Sequence, residues 1–130
     1  MPFRLTARRP LEHEEQSALF AWAKVEARRD PRLELLHAIP NGMAVSSIAE
    51  ASRAKRTGRK AGVPDMCLPI PSGRYHGLYI ELKRTGGTAC DVKPEQSRWL
   101  EALNGHGYRA VVAYGWEEAV AMIKAYLEPA

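Results

Sequence analysis

The chain of 130 residues has a mass of 14.5 kDa, which is the size of one domain with a single hydrophobic core. Hydrophobic residues make up 45% of it and charged residues 26%, a composition that excludes a disordered chain. No apolar run approaches the roughly 18 residues of a membrane-spanning helix, and the N-terminus lacks an apolar signal segment, so we expect a soluble, cytoplasmic protein. The net charge of +4 is compatible with phosphate binding but does not by itself indicate it.

The first half of the chain predicts a helix, a strand and a second helix. An apolar stripe at helical spacing predicts a helix over residues 11–29, which the Asp-Pro pair at 30–31 ends. Residues 33–39 (LELLHAI) predict a short buried strand, closed by a Pro-Asn-Gly turn at 40–42. Helical spacing returns over residues 44–58, with cations near the C-terminal end.

The second half predicts three strands and two helices. Residues 65–70 and 77–83 are rich in Leu, Ile and Tyr and are separated by turn residues, so they predict an antiparallel pair. A helix is predicted over residues 94–105, a strand over 108–114 and a helix over 116–127. This order predicts an α/β fold in which helices flank a mixed central β-sheet.

Two charged residues occupy an otherwise apolar strand. In residues 77–83 (GLYIELK), Glu81 and Lys83 point to the same face. Burial of such charges costs several kcal/mol per ion unless partners compensate, so packing alone does not explain them. An ion pair at a sheet edge and a functional site are the two interpretations that remain.

Asp65 favours a functional site. It follows Pro64, whose missing N–H suits a turn, so Asp65 is predicted at the mouth of its strand. If the two strands pair, Asp65 lies beside Glu81. The two carboxylates and the backbone carbonyl of Leu82 then make a partial cage for Mg²⁺ or Mn²⁺. Lys83 would stand beside the metal, an arrangement suited to phosphodiester hydrolysis.

Several motifs carry a family resemblance. Pro64-Asp65 followed by Glu81-Leu82-Lys83 resembles the signature of the PD-(D/E)XK nuclease superfamily. Together with four further segments, this signature resembles the VRR-NUC domain, the virus-type replication-repair nuclease domain, in its stand-alone phage form. The segments are AIPNG at 38–42, KAGVPD at 60–65, PEQSRWLEALNGHGY at 94–108 and EEAVAMIKAYL near the end. We therefore expect one domain over residues 1–130, in which residues 1–10 form a flexible arm.

The resemblance implies a metal-dependent nuclease with a restriction-endonuclease-like core. It places the family's metal-binding carboxylates on Asp65 and Glu81 and its lysine on Lys83. A further glutamate of the first helix falls on Glu12, on a face predicted to pack inward with Gln16. Glu15 is the alternative for this helix carboxylate.

Other polar residues are secondary candidates. The resemblance implies that Gln96 approaches the site, although a solvated helix position explains it equally well. Asn41 is interpreted either as a DNA contact or as a turn residue. Five cations lead directly into Asp65 and predict contacts with a DNA backbone: Arg53, Lys55, Arg56, Arg59 and Lys60.

Branched DNA is the substrate that the resemblance favours. Stand-alone members resemble Holliday-junction resolvases, and one small chain could cut two strands in concert only as a homodimer. A flap, a splayed arm and single-stranded DNA remain open, as does the choice between one and two metals. A non-catalytic DNA-binding module and a sequence-specific restriction-type nuclease are the rival functions.

Overall fold

The computed structural model describes residues 8–40 and 46–128. Within these ranges the α-helices are α1 (Glu12–Glu26), α2 (Ile48–Arg56), α3 (Pro94–Gly105) and α4 (Trp116–Leu127). The strands are β1 (His37–Ala38), β2 (Met66–Leu68), β3 (Leu78–Lys83) and β4 (Arg109–Tyr114). Short 3-10 helices cover Pro31–Leu35 and Ala89–Asp91.

The four strands form one mixed sheet in the order β1-β2-β3-β4. β2 runs antiparallel to both of its neighbours, β1 and β3, whereas β4 runs parallel to β3. The predicted α/β fold with a mixed sheet and flanking helices is therefore confirmed. No helix in the described part of the chain is long and apolar enough to cross a membrane.

One face of the central strand β3 belongs to the hydrophobic core. Leu78, Ile80 and Leu82 are each 1% exposed and share one cluster with Leu19 of α1 and Ile123 of α4. Full burial of such a side chain contributes about 1.5–3 kcal/mol to folding stability. Packing of this face against α1 and α4 therefore holds β3 in place. The other face of β3 is left to carry the charged residues.

The buried strand predicted over residues 33–39 is wrong. The chain forms the 3-10 helix Pro31–Leu35, and the strand that follows has only two residues, both exposed. The Asp30 side chain accepts a hydrogen bond from the backbone N–H of Arg32 at 3.2 Å and caps this helix. Leu33 and Leu36 are the buried residues, and their spacing of three matches one 3-10 turn.

Helix α2 lies on the surface. Its Ser47 cap accepts a hydrogen bond from the backbone N–H of Glu50 at 3.0 Å, and none of its residues is buried. Ile48 is 91% exposed, so the helical spacing of this segment does not mark a core face. The first residues of the predicted helix, 44–45, lie outside the described ranges.

The segment before α1 is held against the end of β3. Of the arm predicted over residues 1–10, the structure describes residues 8–10. The Arg84 guanidinium donates hydrogen bonds to the backbone carbonyls of Pro10 at 2.7 Å and Arg9 at 2.8 Å. This part of the predicted arm therefore packs on the domain.

Candidate active site

The antiparallel register of β2 and β3 brings three predicted site residues together. Met66 pairs with Ile80, so the preceding residue, Asp65, comes beside Glu81, close enough for its negative charge to act on the Glu81 carboxyl group. Lys83 Nζ lies 3.4 Å from Glu81 Oε2. Glu81 is 2% exposed and Lys83 6%, so this is a buried constellation rather than an ion pair at an exposed edge.

Pro64 explains why the backbone carbonyl of Leu82 is left without a hydrogen bond from β2. If the pairing of β2 and β3 is continued by two residues, Pro64 lies opposite Leu82. The Lys83 carbonyl accepts a hydrogen bond from Gly115, on the β4 side. Backbone groups of successive strand residues point in opposite directions, so the N–H and C=O of Leu82 face β2. Proline has no N–H, so it cannot donate to the Leu82 carbonyl. The Leu82 N–H donates instead to Asp65 Oδ2 at 2.7 Å. The ladder thus ends here, and the Leu82 carbonyl receives no bond from β2.

The two carboxyl groups hold protons more tightly than usual. Burial, and secondly the negative charge of Asp65, raise the pKa of Glu81 from 4.5 to about 8, although nearby Lys83 acts in the opposite sense. Burial also raises the pKa of Asp65, against the effect of the Leu82 N–H. Two acids in one buried site therefore compete for a proton or require a cation.

Glu81 Oε1 is the unsatisfied atom of the site. Glu81 Oε2 interacts with Lys83 and accepts a hydrogen bond from Gln96, whereas Oε1 is buried without a partner among the described residues. Leaving a buried oxygen of this kind unpaired costs free energy, and a bound cation would remove that cost.

Gln96 reaches the site from the first turn of α3. Its Oε1 accepts the backbone N–H of Lys93 at 2.9 Å, and its Nε2 donates to Glu81 Oε2 at 3.1 Å. Hydrogen bonds at both ends of the amide fix its orientation, so that Nε2 points at Glu81. Gln96 therefore lies beside Glu81 rather than in solvent alone, and its part in the reaction stays a prediction.

Gly62 lets the Asp65 loop approach α3, and sequence reasoning did not identify it. Its φ is +94°, and a Cβ there would lie 2.4 Å from the Glu95 carbonyl oxygen. Glu95 precedes Gln96, so this close packing fixes the loop that carries Asp65 against the helix that carries Gln96. The glycine stands three residues before Asp65, but its sequence position does not reveal which backbone it meets.

Helix α1 buries Glu15 rather than Glu12. Glu15 is 1% exposed, and its oxygens accept hydrogen bonds from Thr85 N at 2.8 Å, Thr85 Oγ1 at 2.6 Å and Trp116 N at 3.1 Å. Burial alone would raise the pKa of Glu15, but these hydrogen bonds lower it below its usual value. Glu15 is thus occupied by structural donors.

The predicted inward face of Glu12 is wrong. Glu12 is exposed and Gln16 half-buried, whereas Glu15, Leu19 and Ala23 form the buried stripe. The stripe includes a carboxylate because three donors satisfy it, which a hydrophobic pattern does not reveal. The role of Glu12 as a metal ligand stays a prediction.

The predicted DNA-binding cations lie at the end of α2 and in the turn after it. Arg53, Lys55, Arg56 and Lys60 are exposed, and Arg59 is half-buried. Arg56 donates a hydrogen bond to Ser52 Oγ at 2.9 Å, which is its neighbour one turn earlier. Asn41 lies outside the described residues, so its place in the site stays a prediction.

The donor set fits a hard divalent cation. It consists of two carboxylates and the Leu82 carbonyl, and one carboxylate oxygen, Glu81 Oε1, has no partner among the residues described. Within residues 8–40 and 46–128, no group of three or more His, Cys, Asp or Glu side chains forms a metal-binding arrangement. So few protein ligands suit Mg²⁺, which usually keeps several of its waters.

The mixed sheet flanked by helices, with half-buried Asp65 beside buried Glu81 and Lys83, is consistent with an α/β fold that has a nuclease-like core. The sequence profile of the VRR-NUC domain matches residues 5–117, and the chain belongs to this family. A solved structure described as a "VRR_NUC domain protein" is similar, with a TM-score of 0.77 and 33% sequence identity over 93% of this chain and 91% of that chain. No curated protein matches the chain. VRR-NUC is a nuclease-type family, which implies DNA as the substrate.

Proposed function

We propose that the protein is a Mg²⁺- or Mn²⁺-dependent endodeoxyribonuclease that cuts branched DNA. One observation carries the catalytic part of this proposal: Glu81 Oε1 is buried beside a second carboxylate and a lysine and has no hydrogen-bond partner in the described part of the chain. Burying these charged groups costs folding free energy, and binding of a cation would offset that cost. Membership of a nuclease-type family supports the same reaction class.

Asp65, Glu81 and the Leu82 carbonyl would hold the metal, with Glu12 as a further proposed ligand. When bound, the metal polarises the scissile phosphate and lowers the pKa of a coordinated water. The Asp65 carboxylate keeps β3 in place through the Leu82 N–H, and Gln96 orients the Glu81 carboxylate. These contacts pre-organise the ligands before substrate arrives.

Lys83 contributes a positive charge where negative charge develops on the phosphate. Its ammonium group lies 3.4 Å from Glu81 Oε2 and is almost fully buried, so the surrounding water screens its charge only weakly. It can donate to a phosphate oxygen or to the attacking water, and thereby orient the nucleophile. Its role is therefore distinct from holding the metal.

The choice of branched DNA rests on how the protein would contact its substrate. The exposed cations of α2 and the following turn lead along the chain to Asp65, and contacts of such cations with phosphates carry no base sequence information. A protein that binds DNA through this surface would therefore select its substrate by the shape of the DNA and not by its base sequence. Coordinated cutting of two strands of a junction needs two sites, so we propose a homodimer.

Cleavage assays test this proposal directly. The wild type, Glu81→Gln and Lys83→Ala are incubated with labelled four-way junction, flap, single-stranded and linear duplex DNA in Mg²⁺, Mn²⁺ or EDTA. We expect metal-dependent cutting of branched DNA that both substitutions abolish. Glu101→Gln, which alters an exposed carboxylate of α3, is the matched control and retains activity. Binding without cutting in every metal would favour a non-catalytic DNA-binding module.

Metal binding is tested separately from activity by thermal unfolding. A ligand that binds only the folded protein adds about 2.7 kcal/mol of stability at one hundred times its Kd. Mg²⁺ and Mn²⁺ should therefore raise the Tm of the wild type and of Glu101→Gln, and leave that of Glu81→Gln unchanged. Equal shifts in all three proteins would place the metal elsewhere.

A further inference from the structure

Arg84 follows the last residue of β3 and fastens the segment before α1 to the site. Its Nε and Nη2 atoms donate to the backbone carbonyls of Pro10 and Arg9 at 2.7 Å and 2.8 Å. A guanidinium has five N–H donors, so these two contacts leave donors for a further acceptor. The contacts also hold the backbone of Arg9 beside Arg84.

The two neighbouring arginines of this segment differ in how their charge is compensated. Arg8 forms a two-point ion pair with Glu14, at 2.7 Å and 2.8 Å. Arg9 is exposed, and no carboxylate in the described residues lies within ion-pair distance of it. Its guanidinium lies over Gly86, so close that a Cβ there would be 3.5 Å from Arg9 Nη1. Of these two neighbours, Arg9 is therefore the one whose charge no described carboxylate compensates.

Chain geometry limits the distance between Arg9 and the proposed catalytic lysine. Gly86 is three residues after Lys83, and an extended chain spans at most about 3.6 Å per residue, so their Cα atoms lie within about 11 Å. One DNA strand advances about 3.4 Å per nucleotide along the helix axis. The Cα atoms of Gly86 and Lys83 are thus separated by no more than about three nucleotides of one strand, and the Arg9 guanidinium lies over Gly86.

We propose that Arg9 and Arg84 form a second phosphate-binding element, which contacts the DNA backbone beside the cleaved bond. This inference rests on the proposed nuclease function. The element is separate in sequence from the α2 cations, and it holds the substrate at the C-terminal end of β3. Arg84 acts both as a positive charge and as the clamp that positions Arg9.

The test measures how binding to duplex and four-way-junction DNA depends on salt, by fluorescence anisotropy in EDTA so that cleavage does not interfere. Each lost phosphate contact reduces the slope of log K against log salt concentration by about 0.9. We expect this reduction for Arg9→Ala. The affinity ratio of wild type to Arg9→Ala should also fall about 3.5-fold between 50 mM and 200 mM salt.

Two further variants separate position from net charge. Arg28→Ala removes the same charge beyond the opposite end of α1, a helix of 15 residues and therefore about 22 Å long, and should leave the slope unchanged. Arg9→Lys keeps the charge and should restore most of the slope. The proposed phosphate-binding element would be overturned if the wild type, Arg9→Ala and Arg28→Ala had equal slopes. It would also be overturned if both alanine variants reduced the slope by the same amount. A wild type that neither binds nor cuts DNA would instead overturn the proposed function.

Discussion

Gln96 is hydrogen-bonded at both ends of its amide: it accepts from Lys93 N at 2.9 Å and donates to Glu81 Oε2 at 3.1 Å. The start of α3 is thereby coupled to the carboxylate that is proposed to bind the metal. Groups that orient metal ligands typically matter nearly as much as the ligands themselves.

Gln96→Ala should weaken metal binding without unfolding the protein. The expected effect is a 10- to 100-fold rise in the Mg²⁺ concentration needed for half-maximal cleavage, about the usual cost of losing a group that orients a ligand. Activity should largely recover at saturating metal. Ser97→Ala, the next and exposed residue, is the control. An unchanged Mg²⁺ requirement in Gln96→Ala would show that the hydrogen bond is not functional.

The metal-free protein should lose stability as the pH rises. Burial raises the pKa of Glu81 from 4.5 to about 8, so the folded state binds a proton that the unfolded chain has released. The stability that this proton contributes is fully present below about pH 4.5 and is lost as the pH approaches about 8.

Urea unfolding in EDTA at several pH values measures this effect. The free energy of unfolding of the wild type should fall relative to that of Glu81→Gln as the pH increases through this range, because glutamine does not titrate. Ionisable groups away from the site are shared by the two proteins and cancel in the difference, which therefore reports the titration of Glu81 together with its neighbour Asp65. A difference that stays constant with pH would contradict the raised pKa.

Glu12 and Glu15 should respond oppositely to substitution. Glu15→Ala leaves the N–H groups of Thr85 and Trp116 without their acceptor and should cost about 2–4 kcal/mol of stability. Glu12→Ala removes an exposed side chain and should change stability by less than about 0.5 kcal/mol. If Glu12 is a metal ligand, its substitution nevertheless abolishes cleavage.

Urea unfolding and cleavage of the best substrate, measured on both variants, separate these roles. A fully active, stable Glu12→Ala would remove Glu12 from the proposed metal site. A stable Glu15→Ala would show that its three hydrogen bonds are dispensable.

Gly62→Ala should impair both stability and activity. The positive φ alone costs about 1–3 kcal/mol in a residue with a Cβ, and the added atom would also meet the Glu95 carbonyl at 2.4 Å. The Asp65 loop must then move away from α3. Gly58→Ala is the matched control, because Gly58 also has a positive φ, +103°, but open space around it. We expect a larger loss of stability in Gly62→Ala, and a loss of activity in that variant alone.

Most of the fold could be predicted from the sequence. Periodicity and turn residues indicated all four described α-helices and the antiparallel pair of β2 and β3, because these signals are local. The segment at 33–39 was misassigned because its apolar residues suit either a strand or a 3-10 helix. The Asp30 cap and the burial of Leu33 and Leu36 decide between the two.

For the site, the sequence by itself indicated that Asp65, Glu81 and Lys83 meet. Alternation places Glu81 and Lys83 on one face, and Pro64 ends the ladder just where Asp65 must lie, because it cannot donate an N–H. Only the tertiary structure decided which helix carboxylate is buried and which glycine touches α3. Each of these depends on a partner distant in the chain, such as Thr85 for Glu15 and Glu95 for Gly62, and local patterns do not specify such pairings.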